Sequence, residues 1–165
     1  MSDSIRAREI RDAIGRRYED DPRVLSLLGN DLELSDSSGR TPLHHAVIHG
    51  RGSLVRKLIA LGATPAPQDS EGRTPLHFAV QNRIIDAAKL LLEAGATVDA
   101  KDAHGNTPLW GAVMQFRDYE ETIDLLVSYG ASPDSKNNYG KSPRDLALSM
   151  KGGEATEMLN RSCNR

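Results

Sequence analysis

The stretch GRTPLHHAV at residues 39–47 returns at residues 72–80 as GRTPLHFAV, with His45 against Phe78 as the single change. A third version, GNTPLWGAV, occupies residues 105–113, and a worn fourth, GKSPRDLAL, occupies residues 140–148. Asp36, Asp69 and Asp102 keep the same step of 33 residues, as do Gly29, Gly62 and Gly95. Gly130 and Gly140 each come two residues late, which places a two-residue insertion within residues 114–122. Self-similarity at such a period marks a stacked array of small units rather than one closed core.

Each unit has a local physical logic. Asp-x-x-Gly is turn chemistry, in which the carboxylate caps nearby backbone N–H groups and Gly39 takes a positive φ. Thr41, Thr74 and Thr107 stand at an N-cap, and Pro42, Pro75 and Pro108 open a helix where a missing N–H costs nothing. That helix is short, about two turns, because Gly50 follows soon after Val47. Leu54, Val55, Leu58 and Ile59 then recur at helical spacing and end at Gly62, a left-handed C-cap. Neither helix can bury its apolar stripe alone, so neighbouring units must stack.

The composition agrees. A chain of 165 residues that is 38% hydrophobic suits one domain of ordinary size. Aromatic residues make up only 4%, so the core must be aliphatic. A formal net charge of -2 argues against a nucleic-acid binder, which carries an excess of Lys and Arg. Cys163 is the single cysteine, which excludes an internal disulfide and a cysteine metal cluster. No apolar run is long enough to span a bilayer, and the N-terminal stretch has no apolar segment of the secretory kind. A cytoplasmic location is expected, and the sequon Asn160-Arg161-Ser162 then carries no meaning.

The pattern Asp-x-x-Gly-x-Thr-Pro-Leu-His-x-Ala, with Leu-Leu-x-x-Gly-Ala further on, closely resembles the ankyrin repeat, strongly over residues 36–148. The resemblance implies an all-α repeat solenoid of stacked helix-turn-helix units with hairpin loops, about five in number. The expected division is a single domain, 1–165. Its parts are a capping unit 1–35, full repeats 36–68, 69–101 and 102–136, and a second capping unit 137–165. Shifting back by one period aligns Ile10, Ala13 and Ile14 with Leu43, Ala46 and Val47, and Leu25 with Leu58. Residues 5–29 thus form a degenerate helix pair whose second helix starts at Asp21-Pro22. At the other end Arg144-Asp145 replaces the Leu-His pair, the charge that a solenoid needs on its terminal faces.

Three departures stand out. Arg83 occupies the place of Gly50, so Asn82 is expected to take the unusual dihedral angles instead. Trp110 replaces the motif His, and Gly111 weakens its helix by about 0.5–1 kcal/mol relative to Ala. The insertion, residues 116–121, is expected to protrude as a loop, with Phe116 tucked in and Tyr119 exposed.

Chemistry in the sequence is sparse. His44, His45 and His49 cluster, but five residues separate His44 from His49, a poor match on a two-turn helix. The resemblance assigns His44 and His77 a structural role, hydrogen-bonding the Thr-Pro turn and the neighbouring loop. Gly140-Lys141-Ser142 lacks the earlier glycine of a phosphate-binding loop, where Ser135 stands instead. Asp36, Asp69 and Asp102 are periodic turn residues, not a convergent acid–base pair. No cofactor, no metal and no catalytic residue is expected.

Recognition in the family usually uses the groove lined by hairpin tips and first helices. The candidate partner-binding residues are therefore Arg40, His49, Arg73, Gln81, Asn82, His104, Met114, Gln115, Tyr119, Tyr139 and Lys141. Arg40, Arg73, Lys101 and Lys141 fall at tips, while Asp86, Glu93, Asp118, Glu120, Glu121 and Asp124 fall around outer helices. A basic groove and an acidic back imply a partner protein with an acidic surface, met by a monomer without nucleic acid or membrane. The chain looks like the small, stand-alone bacterial proteins of this family. Some of those neutralise toxins as immunity proteins, and others assist neighbouring enzymes. A structural or assembly subunit is the alternative, with an enzyme the least favoured.

Overall fold

The computed structural model describes residues 3–15, 24, 26, 29 and 31–163. Among the described residues there are nine α-helices and no strand. Helix α1 spans Asp3–Ile14, and four helix pairs follow. These are α2 (Pro42–Ile48) with α3 (Gly52–Ala60), α4 (Pro75–Gln81) with α5 (Ile85–Glu93), α6 (Pro108–Met114) with α7 (Glu120–Ser128), and α8 (Pro143–Ser149) with α9 (Glu154–Cys163). Of the expected second helix of the N-terminal pair, Asp21-Pro22 and Leu25 lie outside the described residues.

Each pair begins as its sequence dictates. Thr41, Thr74, Thr107 and Ser142 are extended N-caps, and the proline follows at the first helical position. The first helices α1, α2, α4, α6 and α8 pack side by side in one row, and the second helices pack in another. Leu43, Leu76, Leu109, Leu58, Leu91 and Leu126 fill the space between the rows and are buried. The core is aliphatic, as the few aromatic residues require.

The hairpin tips form a third strip. Within each tip the residue that opens the turn donates its N–H to the carbonyl four residues on, as Asp69 does to Arg73 at 2.9 Å. Between tips, Ser70 N–H donates to Ser38 O (2.9 Å), Ala103 to Glu71 (2.8 Å) and Asn138 to His104 (3.0 Å). This close approach is what the repeated glycine permits. A Cβ on Gly105 would lie 2.7 Å from the Asn138 nitrogen, whereas one on Gly140, which has no described tip after it, would meet nothing within 4 Å.

Two expectations need correction. Asn82 keeps an ordinary φ of -94°, and Arg83 itself adopts a left-handed φ of 57°. A side chain there costs about 1–2 kcal/mol, and its guanidinium is placed 5.4 Å from the Tyr119 ring centre. The insertion does not protrude as a loop with Tyr119 exposed. Phe116–Asp118 forms one 3-10 turn that takes up the extra length, and Tyr119 precedes α7 as Ile84 precedes α5. That register makes Tyr119 a core residue, 2% exposed, whose hydroxyl donates to the Gln81 carbonyl at 2.9 Å. Phe116 is half-buried and lines a cleft with Met158 of α9.

Leu148 holds the place on α8 that Val47, Val80 and Val113 hold on the earlier first helices. Those valines are buried, while Leu148 is 63% exposed, because no further described helix covers it. The same residue position therefore carries opposite energetic weight in mid-array and at its end. Leu76→Ala is expected to cost about 2–5 kcal/mol in urea unfolding, and Leu148→Ala less than about 0.5 kcal/mol. A small loss for Leu76→Ala would mean the core is not built on this register.

Candidate partner-binding groove

After two of the motif proline-leucine pairs stands a histidine, His44 or His77, that ties one unit to the next. Thr41 N–H donates to Nδ1 of His44 at 3.1 Å, with the Thr41 hydroxyl at the same distance. A nitrogen that accepts an N–H carries no proton, so the imidazole proton sits on Nε2. Nε2–H then donates to the Arg73 carbonyl of the next hairpin, 3.1 Å away. His77 repeats the arrangement, with Nδ1 at Thr74 (3.1 Å) and Nε2 at the Asn106 carbonyl (3.2 Å). Both nitrogens of each ring are committed to these contacts, which leaves neither ring a lone pair to offer a metal.

Burial pushes the His44 pKa down to about 4, against the opposing pull of the Arg73 carbonyl. His77 is lowered for the same first reason. The geometry explains why a second proton is unwelcome: it would sit on Nδ1, facing the Thr N–H. In the last unit Asp145 takes this place, and Ser142 N–H donates to its Oδ2 at 2.9 Å. A carboxylate can cap its own helix, but it has no proton to hand to a further hairpin.

Trp110 takes the same place on α6 and makes neither bond among the described residues. Its side chain is half-buried, and its indole N–H meets no acceptor among the described residues. Beside it a groove of about 340 Å³ opens between α4 and α6, lined by Arg73, Gln81, Asn106, Trp110, Met114 and Gln115, among others. Met114 is 59% exposed and gives the groove an apolar centre next to the indole.

The candidate residues thus divide. Arg73, Gln81, Met114 and Gln115 come together in this groove. His104, Tyr139 and Lys141 lie exposed on the hairpin tips, with Tyr139 at 72%, and Asn82 is exposed beyond the end of α4. His49 lies near the N-terminal end, stacked on buried His45 with ring centres 6.4 Å apart. Tyr119 belongs to the core. Trp110 and Asp102 were not among the sequence candidates. Their signal was visible as the departure from the motif at Trp110 and Gly111.

The tip cations are less free than their positions imply. Arg73 reaches Asp69 Oδ2 at 3.2 Å and Glu71 at 3.3 Å, and Arg40 lies 3.5 Å from the same Asp69 oxygen. Both guanidinium groups sit over Phe78, at 4.7 Å for Arg73 and 5.2 Å for Arg40. Asp69 also accepts the backbone N–H groups of Arg73 and Glu71. Burial alone would raise its pKa, but these hydrogen bonds and Arg73 hold it below the ordinary carboxylate value.

Comparison with known proteins agrees with this architecture. A family profile described as ankyrin repeats in three copies matches residues 13–102, and one for a single ankyrin repeat matches residues 104–138. The chain belongs to the ankyrin repeat family. A stretch of 44 residues, 27% of this chain, is 48% identical to the calmodulin-binding transcription activator CBT of Oryza sativa subsp. japonica, and covers 5% of that protein's length. Ankyrin repeats generally mediate protein–protein interaction and are typically non-enzymatic. No helix among the described residues is long and apolar enough to cross a membrane.

The histidine linkage makes stability depend on pH with a definite sign. The unfolded chain takes up a proton on His44 near the ordinary value of 6.5, while the folded chain resists until about 4. Stability is therefore full above pH 6.5 and falls as pH drops towards 4, with His44 alone contributing about 3 kcal/mol of the fall. His45, His49 and His77 are lowered as well and act in the same direction. Urea unfolding at pH 7.5 and at about pH 4.5 checks this. His44→Gln is expected to be less stable at neutral pH and to show a shallower decline.

Proposed function

We propose that this chain holds a partner protein in the groove between α4 and α6, with the hairpin tips as its rim. The observation that carries the reading is the pairing of half-exposed Trp110 with Met114 at the centre of a polar-edged depression. Protein interfaces concentrate their energy in such places, where an aromatic or long apolar anchor is ringed by polar groups that exclude water. Elsewhere in the same row the equivalent space is closed by His45 or Phe78, both buried.

Lys101 and Lys141, both exposed, are tip cations available to acidic groups on the partner. Such rim charges act mainly on association rate and salt dependence. The proposed setting is the cytoplasm, and the proposed role is that of a toxin-neutralising immunity protein or an accessory factor to a neighbouring enzyme. The chain alone is proposed to be a monomer. Exposed Leu148 and Tyr139 at the C-terminal end favour a second reading, an assembly subunit that stacks through that end. Sedimentation across protein concentrations separates the two, since only stacking gives a concentration-dependent mass.

The test of the groove is affinity capture from the source cells, followed by binding kinetics with the captured protein. Met114→Lys, which puts a positive charge at the apolar centre, is expected to weaken binding about thirtyfold or more. Glu93→Lys on the outer helix α5 is expected to bind as the wild type does. The reverse pattern would place the interface on the outer helices.

A further inference from the structure

Two of the three full units give the outer oxygen of their turn aspartate a side-chain hydrogen-bond donor from within, and the third does not. In the first, His45 Nε2–H donates to Asp36 Oδ2 at 2.9 Å. In the second, Asp69 Oδ2 accepts from Arg73 at 3.2 Å, and that guanidinium lies on the Phe78 ring. In the third, Asp102 Oδ1 accepts the N–H groups of His104 and Asn106, each at 2.9 Å. Its Oδ2 has no partner among the described residues.

Two substitutions create this difference. Asn106 stands where Arg40 and Arg73 stand, and its amide oxygen accepts from Asn137 instead, at 2.9 Å. Gly111 stands where His45 and Phe78 stand, and a Cβ there would meet nothing within 4 Å. The space left without that side chain opens into the groove of about 340 Å³, which Asp102 and Trp110 both line. Arg73 also borders it, but its charge is already met by Asp69 and Glu71. The nearby Lys101 donates to the Lys136 carbonyl at 2.6 Å.

We infer, on the reading that a partner docks in this groove, that the cavity is a socket for an arginine side chain of that partner. The guanidinium lies on the Trp110 ring and donates to Asp102 Oδ2, repeating between molecules what Arg73, Phe78 and Asp69 do within one unit. Tryptophan offers a cation the best of the aromatic faces. A planar guanidinium can stack on the ring and hydrogen-bond the carboxylate in its own plane at once, which an ammonium cannot. An apolar side chain would fill the space but strip water from Asp102 without replacing it.

Trp110 is the one tryptophan of the chain, so its fluorescence reports on the socket directly. Titration of the full chain with N-acetyl-arginine amide is expected to give a saturable change in the millimolar range. Asp102→Asn is expected to weaken that binding about tenfold, the loss of one charge-assisted hydrogen bond. Asparagine is compatible with the turn, because Asn137 Oδ1 already accepts the Tyr139 and Lys141 N–H groups in the last unit. Gly111→Phe, which restores the residue type of Phe78, is expected to abolish the response. Equal binding of the neutral N-acetyl-citrulline amide, no effect of Asp102→Asn, or no saturable response overturns the proposal. In partner capture, loss with Met114→Lys but full binding by both Asp102→Asn and Gly111→Phe would leave the groove standing and remove the arginine. Full binding by Met114→Lys would remove the groove reading and the proposal with it.

Discussion

A neutral imidazole joins two neighbouring units at His44 and again at His77. One ring nitrogen accepts from the N-cap threonine of its own helix, and the other donates to the carbonyl of the next hairpin. The same ring therefore fixes where a helix begins and how far away the following tip lies. Any residue with only an acceptor, or only a donor, can do half of this. Asp145 caps its own helix and hands nothing on, and Trp110 breaks the linkage on both sides. The regular linkage between units thus follows from what stands at a single motif position.

The second constraint is the close approach of the tips. Backbone hydrogen bonds from Ser70 to Ser38, Ala103 to Glu71 and Asn138 to His104 hold the hairpins in one strip. With the first helices fixed below and the tips fixed above, a side chain between them has one place to go. His45 and Phe78 fill that place in two units. Where Gly111 leaves it open, the exposed surface gains a depression with an aromatic wall and a carboxylate. A recognition site can arise in such an array by subtraction, without disturbing the stack that positions it.

Charge follows the same local logic. Arg40 and Arg73 have the positions of groove cations, but they converge on Asp69 and stack on Phe78. Lys141 is exposed at the rim.

The sequence by itself determined the period, the helix starts, the alternation of first and second helices and the ends of the regular motif. These are set by residues within one turn of each other: Thr before Pro, Asp three before Gly, His three after Thr. The groove was legible only as a region, through Arg73, Gln81, Met114 and Gln115. Tertiary structure alone decided that Tyr119 is buried, because its hydroxyl finds the Gln81 carbonyl one unit back. It alone decided that Arg83 bears the left-handed turn, with its guanidinium placed over that tyrosine's ring. It also decided which carboxylate keeps a free oxygen, since Arg40 and Arg73 both turn to Asp69 and leave Asp102 alone. Turn and cap propensities act along the chain and can be read there. Which side chain fills which space depends on neighbours about thirty residues away, brought together only by stacking.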